Sequence, residues 1–173
     1  MTRYVAFSRA INVGRRRISS DDLRQLFIDL DVEDVDTYLA SGNIVFSSDE
    51  AASALETRVE NAFDERYEWD VPTFLRTIDE VQDLASAEVF DDLSDSAKTY
   101  VVFARSDVDG LEVELDALSN RVDRFTGRGR EIWWLRDMDG GESMTTGEVE
   151  KELGLVCTRR TLRTIQRLLA KFG

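Results

Sequence analysis

Tyr4-Val5-Ala6-Phe7-Ser8-Arg9 returns later in the chain as Tyr100-Val101-Val102-Phe103-Ala104-Arg105, identical in four of six positions and conservative in the other two. Each copy reads as a short, mostly apolar buried strand, and each opens the same run of elements. After the first copy, Asn12 and Gly14 close the strand with a loop. Ser19 or Ser20 then caps a helix that puts Leu23, Leu26, Phe27 and Leu30 on one face, with Asp21 and Asp22 in its first turn. Strands at 35–40 and 43–47 flank Ser41-Gly42 as a hairpin. A helix over 51–67, a strand over 71–77 with the single proline at its entrance and a helix over 79–87 follow.

The second copy is followed by a helix over 108–118, strands at 121–126 and 131–136 joined through Gly127 and Gly129, a helix near 146–153 and a strand at 156–158. One more amphipathic helix, 161–172, turns Leu162, Ile165, Leu168, Leu169 and Phe172 inward. Match and element order together predict an α+β protein: two tandem ferredoxin-like (β-α-β-β-α-β) subdomains, 1–87 and 98–173, the second carrying the C-terminal helix, with 88–97 as an acidic connector.

The 173 residues, 42 % of them hydrophobic, suffice for one large domain or two small ones. The longest apolar runs fall far below the ~18 residues of a membrane span, and the N-terminus lacks a signal pattern. A cytoplasmic protein with no membrane association is therefore expected. With one cysteine, Cys157, and no histidine, an internal disulfide, a cysteine-rich zinc site and Ser/His/Asp or Cys/His catalysis are all excluded. No metal and no cofactor are expected. The paired carboxylates Asp21/Asp22, Asp91/Asp92 and Asp137/Asp139 have no EF-hand spacing and read as solvated acids.

The net charge is -13, yet its distribution is uneven. Residues 1–17 carry five arginines and no acid, residues 155–173 carry four arginines and Lys171 with no acid, and residues 121–136 carry five arginines against Asp123 and Glu131. Two readings stand side by side: ordinary salt bridges at strand ends, or a basic face on an acidic body. Twenty Asp and fifteen Glu against three Lys also resemble the composition of proteins from salt-loving microbes, although a GC-rich genome favours Arg over Lys by itself. If the acids repel one another, screening should raise the thermal midpoint between low and molar KCl. A flat or falling midpoint would remove the salt-loving reading.

Arg9 at a strand end, Asn12, Gly14, Arg16 and Arg17 in the loop behind it, and Ser41, Gly42 and Asn43 in the hairpin form a candidate oxyanion site of backbone amides and guanidinium groups. Arg159, Arg160 and Arg163 are expected to assist. Alternatively, Asn12, Gly14 and Gly42 supply positive-φ turns and Arg9 pairs with an acid. No Walker loop occurs. Trp133 and Trp134 adjoin on one strand and face opposite sides, so one belongs to the core and the other could lie on the sheet, near Arg128 and Arg130, and stack a base; against this, the RNP1 pattern is absent and an aromatic in a small sheet is more often core.

The stretch from Tyr4 to Gly14, with 23–30, Thr37 to Phe46 and 158–168, resembles domain-of-unknown-function family sixteen-ninety-seven, over nearly the whole chain. The resemblance implies tandem ferredoxin-like subdomains and no established activity. The chain departs from the family pattern at Ala10 and Arg15 in a Gly-Ile-Asn-Val-Gly-Gly run, at Ser143-Met144, where a lysine is usual, and at Arg160-Thr161-Leu162, which replaces Arg-Asn-Trp. The functional expectation is a non-catalytic binding module for a phosphate-bearing partner, nucleic acid or nucleotide first. The alternative is an enzyme using arginine electrostatics and an Asp or Glu base. Oligomeric state is left open by the sequence.

Overall fold

A computed structural model describes residues 1–91 and 94–173. Asp92, and with it the Asp91/Asp92 pair and part of the expected connector, lies outside the described residues. The chain divides into two compact units, Met1–Gln82 with Leu168–Gly173, and Asp83–Arg167. It is a mixed α+β protein with two four-stranded antiparallel sheets and six helices among the described residues.

In the first unit, β1 (Thr2–Ser8), α1 (Ser20–Ile28), β2 (Glu33–Tyr38), β3 (Asn43–Ser48), α2 (Ala52–Tyr67) and β4 (Thr73–Thr77) follow one another, and β4 runs straight into α3 (Ile78–Ser86). The sheet order is β2-β3-β1-β4. The two-residue alternation of β1 sends Tyr4 and Ala6 to one side, where they meet Ile44, Phe46 and Leu75 beneath Leu23, Leu26 and Phe27 of α1 and Leu55, Val59 and Phe63 of α2. Each fully buried Leu or Phe there contributes roughly 1.5–3 kcal/mol. Val5 and Phe7, pointing the other way, are buried as well, which is why β1 reads as a continuous apolar run. Ser19 caps α1 by accepting from the Asp22 amide at 3.0 Å.

The second unit repeats the order with β5 (Ala97–Ala104), α4 (Glu112–Leu118), β6 (Asp123–Arg128), β7 (Glu131–Asp137), α5 (Thr146–Leu153) and β8 (Cys157–Thr161), and β8 runs into α6 (Leu162–Phe172), which belongs to this unit as far as Arg167. Its sheet order is β6-β7-β5-β8. The registers correspond as well. Tyr4 stands opposite Phe46 and Thr77, and Tyr100 opposite Trp134 and Thr161; Val5 stands opposite Val45 and Arg76, and Val101 opposite Trp133 and Arg160. At both strand-to-helix junctions a threonine caps the helix: the Thr77 hydroxyl accepts from the Glu80 amide and that of Thr161 from the Thr164 amide, each at 3.1 Å. Tyr100, Val102, Ile132, Trp134 and Phe125 form the helix-side core with Leu115 and Val149. At α5 the Thr145/Glu148 capping box is complete, and the Thr145 amide, then its hydroxyl, holds the Glu148 carboxyl below its ordinary pKa.

Two expectations need correction. The helix expected from Val108 begins only at Glu112. Val108 and Leu111 are spaced like a helical face, but the Val108 amide donates to Gly129 O at 2.6 Å and Asp109, through Oδ1, accepts from the Gly129 amide, so 108–111 is a turn strapped to the β6–β7 hairpin. Trp133 and Trp134 do face opposite sides, yet both are buried, at 4 % and 0 % exposure, so neither offers an open ring for base stacking.

Candidate functional site

Within the first unit the loop after β1 and the β2–β3 turn are built into one another. Asn12, in the left-handed region at φ 59°, donates through Nδ2 to Ala40 O at 2.9 Å and accepts the Ile18 amide at 2.8 Å, tying the loop both to the turn and to its own far end. The Ser8 amide donates to Gly42 O at 2.8 Å. Fully buried Asn43 donates to Tyr38 O and to the Ser41 hydroxyl, closing the turn. The sequence-expected residues 9–17 and 41–43 are thus brought together, with Asn12, Gly42 and Asn43 acting as scaffold and Gly14 at the open surface.

That scaffold presents arginines. Arg9 is half-buried and its amide donates to Pro72 O at 2.9 Å. Arg16 donates through Nη1 to Asp70 O at 2.9 Å, with its guanidinium 5.6 Å from the Trp69 ring centroid. Arg17 donates to the carbonyl of Arg16 at 2.7 Å, and Arg15, which the sequence reading did not select, is exposed beside it. Among the described residues, Arg15, Arg16 and Arg17 make no ion pair, whereas Arg66 pairs with Asp29 at 3.0 Å and Arg58 with Glu50. Exposed Val13 and Leu39 lie in the same two segments.

Arg159, Arg160 and Arg163 belong to the second unit. Arg163 is exposed on α6. Arg160 donates to the Thr158 hydroxyl and to Arg159 O, both at 2.9 Å, and burial pushes its pKa down to about 10. Arg159 points to the opposite, helix-covered side, where its guanidinium carbon lies 4.6 Å from the Tyr100 ring centroid and 4.5 Å from that of Trp134. Burial first, and the charge of Arg136 with it, lower the Arg159 pKa against opposing contributions from Tyr100 and Asp123.

The residues around Arg159 escaped the sequence reading. Asp123, 1 % exposed, accepts from Trp134 Nε1 at 2.7 Å and Ser143 Oγ at 2.6 Å on Oδ1, and from the Met144 amide at 2.9 Å on Oδ2. Lys98 lies opposite Arg136 across the β5–β7 ladder, with its ammonium 5.6 Å from the Tyr100 centroid. Only strand parity could have grouped them: Lys98, Tyr100, Trp134 and Arg136 all fall on the same face.

Among the described residues no three or more acids or cysteines gather as a metal site, and no helix is long and apolar enough to cross a membrane.

The fold recurs in a solved structure. That of a conserved bacterial protein from Streptococcus pneumoniae is similar with a TM-score of 0.73 and 21 % identity, over 99 % of each chain. No curated protein matches the chain. The sequence profile described as "Protein of unknown function (DUF1697)" matches residues 1–133, and the chain belongs to that family.

Proposed function

We propose that the protein is a non-catalytic binding module that holds a phosphate-bearing ligand, nucleic acid or nucleotide first, on the arginine loop of its first unit. The observation that carries this reading is the run Arg15-Arg16-Arg17, without ion pairs among the described residues of a chain of net charge -13 and held on a loop pinned at Asn12. In so acidic a protein, unpaired cations at one place are the groups with most to gain from an external anion, and guanidinium forks suit phosphate oxygens. Shared strand order, register and helix-junction caps support a further part of the reading, that the two units are tandem ferredoxin-like copies of one ancestral β-α-β-β-α-β unit.

A fluorescent single-stranded oligonucleotide should bind at the lowest salt that keeps the protein folded. Arg15→Ala and Arg17→Ala should each weaken binding about equally for unrelated sequences. If both variants bind as the parent does, the loop is not the site.

A further inference from the structure

In the second unit three cations converge at positions that carry neutral residues in the first. Lys98 and Arg136 face each other across the β5–β7 ladder, an arrangement that costs stability because like charges stand directly opposite. Arg159 projects from β8 on the same face, over Tyr100 and Trp134. None of the three makes an ion pair among the described residues. Asp123, which stands opposite Arg136 across the β6–β7 ladder, is committed to Trp134, Ser143 and Met144. Moreover, Arg159 Nη1 and Arg136 Nε are buried with no hydrogen-bond partner among the described residues. Buried donors of this kind are rarely left unmade, because each forfeits its hydration without replacement.

The corresponding positions of the first unit sharpen the contrast. By register, Lys98 and Arg136 correspond to Thr2 and Ser48, Arg159 to Leu75 and Trp134 to Phe46. The Leu75 side chain is fully buried in apolar core, while its amide donates to Glu56 of α2 at 2.8 Å. The same fold thus carries neutral side chains at these three positions in one unit and three cations in the other, so the cations are not required by the architecture.

We propose that the face formed by Lys98, Arg136 and Arg159 is a binding site for the oxyanion group of a small molecule, a carboxylate or a phosphate, which takes up the two unpartnered guanidinium donors. It is separate from the loop reading above, and loss of oligonucleotide binding in the Arg15 and Arg17 variants leaves it untouched.

The test is an NMR titration of the full chain with sodium phosphate, and separately sodium acetate, against sodium chloride at constant ionic strength. The Arg136 Nε–H and Trp134 indole N–H signals are followed. At least one oxyanion should give a saturable shift that chloride does not. Tighter phosphate binding identifies a phosphoryl group as the natural ligand group, and tighter acetate binding a carboxylate. Arg159→Leu and Arg136→Ser, which install the residues of the first unit, should each weaken binding ~10- to 100-fold, the loss expected for one charge-assisted hydrogen bond. Arg159→Lys should retain saturable, weaker binding, and with Lys98→Thr it carries the test should the Leu variant fail to fold. Shifts that grow without saturation in all three salts, or saturable shifts unchanged in the variants, would overturn the proposal.

Discussion

Replacing Asp123 with Ala should lower the unfolding free energy by about 3–5 kcal/mol, the range for leaving buried charged or hydrogen-bonding partners without their counterpart. This carboxylate joins three pieces of the second unit. Through Trp134 Nε1 it binds β6 to β7, and through Ser143 and Met144 it fixes the segment leading into the Thr145 cap of α5. Removing it strands a buried indole N–H and a half-buried backbone amide and takes a negative charge away from Arg136, opposite it on β7, and from Arg159. Asp123→Asn keeps acceptor oxygen but loses the charge, so it should cost about 1–3 kcal/mol. Urea unfolding at fixed salt measures both, and a loss under ~1 kcal/mol for the alanine variant would show that the carboxylate does not organise this unit.

Gly42→Ala should be the most damaging change in the first unit's loop cluster, at about 2–4 kcal/mol. Gly42 sits at φ +76°, and a Cβ there would lie 3.0 Å from Ser8 O and 3.2 Å from Ile11 Cδ1. An L-residue in this region costs roughly 1–2 kcal/mol, and forcing extra volume against backbone adds roughly 1–3 kcal/mol. The Ser8 amide to Gly42 O bond would stretch with it. Gly14→Ala provides the contrast: φ is +62° but nothing lies within 4 Å, so only the conformational cost applies. Equal midpoints for the two variants in thermal or urea unfolding would contradict the close approach.

Much of the fold was legible because its signals are local. The Tyr-Val-x-Phe-x-Arg echo marks the two central strands, whose apolar runs follow from burial on both faces, and Ser19 with hydrophobics three and four residues apart marks the first helix. What escaped depends on distant partners. Val108 and Leu111 carry a helical spacing, yet a hydrogen bond to Gly129 holds that segment as a turn. Trp133 has no neighbour in sequence that tells which side of its strand is covered. Asp123 looks like any other acid in a chain with 35 of them, and only the fold shows that it takes donors from Trp134, Ser143 and Met144. In the candidate loop, Arg9, Asn12, Gly14 and Ser41 to Asn43 were legible as a group, since strand end and hairpin are neighbours in this topology. Their division into scaffold and arginine surface was not, because it rests on where the Asn12 and Asn43 amides find carbonyls.

The most direct test of the binding reading is the salt dependence of oligonucleotide affinity for the parent protein and for a variant with Arg15, Arg16 and Arg17 all replaced by Ala. If the three arginines neutralise three phosphates, log K should fall with log salt at a slope of about -2 for a single strand, through counterion release, and the triple variant should lose most of that slope with the affinity. No binding by the folded parent at low salt, or a triple variant that binds with the same slope, would contradict the account.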